Sequence, residues 1–210
     1  ASFRGRVKAA VSDGALRRKL WQHVLDGPIG ESVLAGNETA ARHAMTALIG
    51  GAPAPARGKV YIVGAGPGDP ELLTVRALRL MRQADVVVYD ALVGPAVIDL
   101  VRRDAERIFA GKRRGDPGLG QAGINALLEA RARAGQFVVR LKGGDPFIFG
   151  RGGEERDHLL QAGVAVEVVP GITAATACAA AAGIPLTHRD HASALTILTG
   201  HGAEGEPDHD

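Results

Sequence analysis

The sequence holds one cysteine, Cys178, in 210 residues, and only 4% of its residues are aromatic. A single thiol excludes an intrachain disulfide framework and suits a reducing compartment, so the cytoplasm is the expected location. Cys178 lies in an Ala-rich run, which predicts a small buried residue rather than a nucleophile. Scarce aromatics leave the core to Ala, Val, Leu and Ile within a 46% apolar composition. They also leave the basic residues without an aromatic-interleaved stripe, and with a net charge of +2 no nucleic-acid partner is expected. No apolar run approaches the roughly 20 residues that cross a bilayer, so no membrane partner is expected either. His188 and His191 are spaced H-x-x-H, but no cysteine or second His–carboxylate motif accompanies them, and no metal site is expected. The chain begins at Ala1-Ser2-Phe3 with neither an initiator Met nor a signal-peptide pattern and ends in the acidic stretch Gly202 to Asp210. Both ends read as those of a fragment.

Glycine is abundant, at 29 residues, and clusters at turns between apolar runs, as suits an α/β protein with many tight strand–helix junctions. Residues 1–50 read as helical. Leu16, Leu20, Val24 and Leu25 form one stripe with Ser12 as a possible N-cap, and Ala41, Met45, Leu48 and Ile49 form another. Residues 51–57, Gly-Ala-Pro-Ala-Pro-Ala-Arg, form a semi-stiff linker and the expected domain boundary. From residue 58 to 210 the texture changes. Val60–Val63, Val86–Tyr89, Phe137–Leu141, Val164–Val169 and Leu195–Leu198 are predicted strands, with Arg107–Ala110 a weaker one. Between them Leu73, Ala77, Leu80 and Met81 share a helix face, as do Ile124, Leu127 and Leu128, and then Leu159 and Leu160. Strands separated by helices imply right-handed crossovers and a mainly parallel sheet.

Three turns carry the candidate chemistry. Gly64-Ala65-Gly66-Pro67-Gly68-Asp69-Pro70 runs from a strand toward a helix. It departs from the dinucleotide fingerprint G-x-G-x-x-G at Asp69, and its two prolines remove amide donors that a pyrophosphate would use. Asp69, Pro70 and Glu71 are also a sound helix start in their own right. Arg140-Leu141-Lys142-Gly143-Gly144-Asp145-Pro146 repeats the pattern after a second strand, and Val169-Pro170-Gly171-Ile172-Thr173 supplies a third turn, with Thr173 able to cap the next helix. In a doubly wound sheet, ligands bind beyond the carboxyl ends of the strands, where these turns would converge. Asp90 follows Val86–Tyr89 at the same edge, either to take a proton or hold a cation, or to cap the next turn. Lys112-Arg113-Arg114 follow Gly111 there too, as anion contacts or as a solvated run.

In order and spacing, these stretches resemble the motifs of uroporphyrinogen III C-methyltransferases from about residue 58 to 202. They are joined by Asp85–Asp90, Gly111-Lys112-Arg113, Gly183–Arg189 and the long string Val139-Arg-Leu-Lys-Gly-Gly-Asp-Pro-Phe-Ile-Phe-Gly-Arg-Gly-Gly-Glu-Glu155. The segment 4–50, with Arg17-Arg-Lys-Leu-Trp21, is similar to the helical end of the precorrin-2 dehydrogenase/ferrochelatase module that precedes the methyltransferase in fused siroheme synthases. The resemblance implies an α/β tetrapyrrole methylase-like lobe preceded by a small helical segment. It further implies S-adenosyl-L-methionine as cofactor, uroporphyrinogen III as substrate, and a homodimer. Asp90 would be the proton acceptor and Lys112 the proton donor. Pro67, Gly143, Gly144, Asp145, Ile148, Thr173 and Ala174 would hold the cofactor, while Arg113, Arg151 and Arg189 would clamp substrate carboxylates. Fused siroheme synthases would also oxidise precorrin-2 with NAD and insert iron, through a nucleotide-binding motif that residues 1–210 do not contain. Asp116-Pro117 stand where family members often have a His. Two alternatives stay open: a methyltransferase acting on another precorrin or a non-tetrapyrrole, and a non-catalytic nucleotide-binding or oligomerisation module.

Overall fold

Unbroken runs of β-branched residues become the buried strands of a parallel sheet, and the turn residues between them set where each helix starts. The computed structural model describes residues 3–26, 28–51, 58–111 and 118–199. The chain divides into two compact units, residues 1–56 and 57–210.

The first unit is helical: α1 (Arg4–Ala10), α2 (Gly14–Asp26), α3 (Pro28–Leu34) and α4 (Glu38–Gly50). Val7, Leu20, Val24 and Met45 form its core, flanked by Phe3, Trp21, Ile29 and Leu48. Of the predicted stripe, Leu16 and Leu25 are exposed, because the face that meets the other helices is narrower than the apolar pattern. The cap of α2 is corrected by one residue. Asp13, not Ser12, accepts the Leu16 amide through Oδ1 at 3.0 Å, and a carboxylate there also favours the positive end of the helix.

The second unit runs β1 (Lys59–Gly64), a 3₁₀ turn (Pro70–Leu72), α5 (Val75–Gln83), β2 (Val86–Tyr89), α6 (Pro95–Ile98), β3 (Glu106–Phe109), α7 (Gly120–Arg133), β4 (Phe137–Lys142), α8 (Gly152–Gln161), β5 (Ala165–Val169) and α9 (Ala174–Ala181). The sheet order is β3-β2-β4-β1-β5, and every pairing of these strands is parallel. Side chains alternate between two cores. Val63, Val87, Val139 and Leu141 pack with Ala77, Leu80 and Met81 of α5 and Val97 of α6. Val60, Ile62, Val86, Val88 and Val138 pack on the other face with Ile124 and Leu128 of α7 and Leu159 of α8. Neighbouring strands β1 and β4 are therefore followed by helices on opposite faces, which opens a crevice at their carboxyl ends.

Three expectations are corrected. Leu195–Leu198 form no strand, for β propensity without a neighbouring strand to pair with does not hold an extended segment. Cys178 is exposed rather than buried, since it lies on the outward side of α9, none of whose residues is buried. Leu160 is exposed, while Leu159 makes the inward apolar contact of α8 beside the buried Gly152 and Glu155. Of the linker 51–57, residues 52–57 lie outside the described residues. No helix of the described residues is long and apolar enough to cross a membrane.

Met81 is fully buried between α5 and the sheet. Met81→Ala should lower unfolding stability by about 2–5 kcal/mol, read from urea denaturation midpoints.

Candidate active site

The three glycine turns meet at the carboxyl edge. The Ala65 amide donates to the Lys142 carbonyl at 2.7 Å, and Gly66 and Gly144 exchange amide–carbonyl bonds of 3.2 and 2.8 Å. Gly66 and Gly144 make this approach with φ of +69° and +65°, the left-handed region open to glycine at little cost. The third turn closes on the other two. A Cβ on Gly171 would lie 2.3 Å from the Gly144 carbonyl oxygen, and one on Gly64 would lie 2.5 Å from the Gly171 nitrogen. Asp145 staples the arrangement: Oδ1 accepts the Phe147 amide at 2.8 Å and Oδ2 the Gly171 amide at 3.0 Å. These bonds commit the Ala65 and Gly66 amides, and Pro67 has none, so the first turn offers fewer donors than a pyrophosphate cradle uses. Asp69 caps the 3₁₀ turn, accepting the Glu71 amide at 2.9 Å.

The rim of this knot suits a neutral, partly apolar ligand. Pro67 and Ile148 are exposed beside it. A Cβ on Gly144 would meet only the Thr173 Cα, at 3.8 Å, so the backbone there is open to a close neighbour. Thr173 occupies the N-cap of α9, but its hydroxyl makes no cap hydrogen bond, and Ala174 opens the helix. Gly143 is packed from behind, where a Cβ would come 2.5 Å from the Leu92 Cβ. Phe149 and Arg151 hold left-handed backbone, φ +51° and +55°, in the loop between β4 and α8. Such strain in non-glycine residues is tolerated where surrounding structure enforces it, commonly at ligand sites.

Asp90 sits at the end of β2. Its Oδ1 accepts the Leu92 amide at 3.1 Å, the capping role, and its Oδ2 pairs with Arg140 Nη2 at 3.3 Å. Arg140 and Lys142 project from the same face of β4 into the interior, 2% and 5% exposed, and Glu155 of α8 is fully buried against them. Glu155 Oε1 accepts from Arg140 Nε at 3.1 Å, from Lys142 Nζ at 3.0 Å and from Gln121 Nε2 at 3.3 Å. Burial, reinforced by the Arg140 charge, holds the Lys142 ammonium below its ordinary pKa, and Glu155 opposes that shift.

The structure thus gathers Pro67, Gly143, Gly144, Asp145, Ile148, Thr173 and Ala174 on the turns at the edge of β1, β4 and β5, with Asp90 at the end of β2. Lys112 and Arg113 lie outside the described residues. Arg151 is exposed and forks onto Glu154 at 2.8 and 2.7 Å, while Arg189 is exposed in the segment after α9. Sequence reasoning did not single out Glu155 as a partner of Arg140 and Lys142. Two cations two residues apart in an apolar strand share one face, and in a buried strand they require an acid, which was the available signal.

Comparison with known proteins adds the following. The family model described as tetrapyrrole (corrin/porphyrin) methylases matches residues 59–210, and that of the sirohaem synthase dimerisation region matches residues 1–49. A siroheme synthase of Azotobacter vinelandii is 58% identical over 206 residues, 98% of this chain and 44% of that protein. The chain therefore spans less than half the length of the curated relatives it matches. Among solved structures, uroporphyrin-III C-methyltransferase from Thermus thermophilus complexed with S-adenyl homocysteine is 49% identical, with a TM-score of 0.60 over 72% of this chain and 59% of that one. A cobalt precorrin-4 methyltransferase is 36% identical, with a TM-score of 0.62 over 75% of this chain and 64% of that one.

Because backbone atoms, not flexible side chains, surround Gly171, Gly171→Ala cannot be relieved by a rotamer change. It should cost about 1–3 kcal/mol of stability in denaturant titration, and should also weaken S-adenosylhomocysteine binding in calorimetry.

Proposed function

We propose that this chain, which belongs to the tetrapyrrole (corrin/porphyrin) methylase family, carries the front part of a uroporphyrinogen III C-methyltransferase within a siroheme synthase. The observation that carries this reading is the three-turn knot at the crevice with a carboxylate, Asp90, fixed at its edge. Identity of 58% to a siroheme synthase across 98% of the chain supports it over methylation of a later precorrin.

The cradle fits S-adenosyl-L-methionine in its neutral adenosyl part, which needs backbone groups and apolar contact rather than a phosphate nest. Pro67, the Gly143-Gly144-Asp145 turn, Ile148, Thr173 and Ala174 are the holding residues. Since both Asp145 carboxylate oxygens already accept backbone amides, Asp145 contributes through its backbone and through the shape it imposes. Bound there, the cofactor supplies a methyl group activated on a sulfonium. The chain's residues align the two partners, and alignment is the main source of rate in such a displacement. Asp90 accepts the proton that the methylated pyrrole carbon framework must lose, at the oxygen that Arg140 orients. Lys112 is the proton donor. Arg113, Arg151 and Arg189 are the substrate clamps, because guanidinium forks suit acetate and propionate groups; Arg151 can exchange its exposed Glu154 partner at little cost.

Residues 1–49 pair two copies into a homodimer. An open groove of about 600 Å³ lined by Phe3, Trp21, Leu25, Ile29 and Val33 gives this unit apolar surface for that purpose. Precorrin-2 oxidation with NAD and iron insertion belong to the full-length synthase, outside the knot, whose first turn has committed its Ala65 and Gly66 amides. The exposed, unpaired Cys178 suits a reducing, cytoplasmic setting.

In the full-length synthase, Asp90→Ala should abolish methylation of uroporphyrinogen III while S-adenosylhomocysteine still binds in calorimetry, and Lys112→Ala should slow turnover. Undiminished methylation by Asp90→Ala would sink the base assignment. Faster methylation of precorrin-2 than of uroporphyrinogen III would move the substrate to a later precorrin.

A further inference from the structure

The buried charged side chains among the described residues are three, and they touch one another: Arg140, Lys142 and Glu155. They lie at 2%, 5% and 0% exposure inside the layer between the sheet and helices α7 and α8. Stability alone does not explain such a cluster, because buried ion networks are often matched or bettered by apolar side chains of similar volume. One link of the cluster leads to the strand edge. Arg140 spends Nε on Glu155, Nη1 on the Leu141 carbonyl at 3.0 Å and Nη2 on Asp90, whose side chain is partly exposed at the strand edge. Glu155 is the hub, since its Oε1 takes Arg140, Lys142 and Gln121, and its Oε2 has no hydrogen-bond partner among the described residues.

We propose that Glu155 is a positioning residue for methyl transfer, acting through Arg140 to hold the Asp90 carboxylate in its reactive orientation. The inference rests on Asp90 being the proton acceptor. Its physical basis is charge balance. Arg140 and Lys142 emerge two residues apart on one strand face, and without an anion between them they repel in a medium that screens poorly. Glu155 cancels that repulsion and fixes the guanidinium plane by its Nε contact. Nη2 is then presented to Asp90 Oδ2 while the Leu92 amide holds Oδ1. With both oxygens engaged, the carboxylate cannot swing away from the crevice. Loss of Glu155 frees the guanidinium to turn, and the Asp90 carboxylate loses one of its two anchors although Asp90 itself is unchanged.

The experiment uses the full-length synthase, assayed for methylation of uroporphyrinogen III. Glu155→Gln keeps the size of the side chain and removes the charge. It should lower kcat by about 10²-fold, the scale of a small misplacement of a reacting group. KM for both substrates and S-adenosylhomocysteine affinity should stay within about twofold, because the carboxylate that is misplaced acts in the chemical step and not in binding. In an Asp90→Asn background the same substitution should change residual activity by less than about twofold, since the two residues act as a unit. If Glu155→Gln yields too little folded protein, Arg140→Lys is read the same way. It keeps the charge but cannot bridge two carboxylates. A normal kcat for Glu155→Gln beside an inactive Asp90→Asn overturns the positioning role alone. Parallel losses in kcat and S-adenosylhomocysteine affinity mark a structural role and overturn it as well. Full activity of Asp90→Asn overturns the base assignment and this inference with it.

Discussion

Gly64 and Gly171 pass each other and the Gly144 carbonyl at distances that admit no side chain, and the crevice is organised by that contact. Because the exit turns of β1, β4 and β5 share it, these three strands must end level with one another. The following segments then leave the knot in defined directions: the 3₁₀ turn and α5 to one face, α8 to the other, and α9 from the third turn. Asp145 adds a side-chain bond from the second turn to the third, so the knot does not depend on van der Waals contact alone. The same packing consumes the Ala65 and Gly66 amides, which a phosphate ligand would otherwise use. It leaves a rim of Pro67, Ile148 and Thr173, which explains how a Gly-rich turn after a first strand can serve a ligand with no phosphate.

A second constraint lies one layer beneath. β4 is the central strand of the five, and its register with β1 and β2 places Arg140 and Lys142 inside the protein, not at its surface. Guanidinium and ammonium groups are enclosed there only because Glu155 arrives from α8 to compensate both. The loop that delivers α8 bears left-handed backbone at Phe149 and Arg151, so the acid is delivered through a strained segment. Knot and charge cluster thus use one stretch of chain, residues 140–155. Its backbone shapes the rim of the crevice and its side chains hold the carboxylate at the edge.

Much of the fold could be read from the residues. Val60–Val63, Val86–Tyr89 and Phe137–Leu141 are apolar and β-branched or aromatic enough to be strands buried on both faces, and they form β1, β2 and β4 with ends shifted by one residue at most. Ala77, Leu80 and Met81 announce the inward face of α5 by helical spacing. The readings that failed did so where a local pattern had no tertiary partner. Leu195–Leu198 had strand composition but no neighbouring strand, Cys178 lay on the outward side of an apolar helix, and Leu160 sat beside Leu159, which took the inward position. Ser12, read as the cap of α2, gave way to Asp13, whose carboxylate meets the first turn.

For the site, the residues alone marked the turns, because Gly, Pro and Asp in those orders have few other uses, and they placed Asp90 at a strand end. Local sequence determined those features because φ preference, capping and side-chain alternation act over a few residues. What only the tertiary structure decided is which distant groups meet. Gly64 touches Gly171 across more than a hundred positions of chain, and Arg140 chooses Asp90 and Glu155 from among many acids. Those pairings follow from strand order and from the face on which each helix lands, and neither is encoded by any short stretch of sequence.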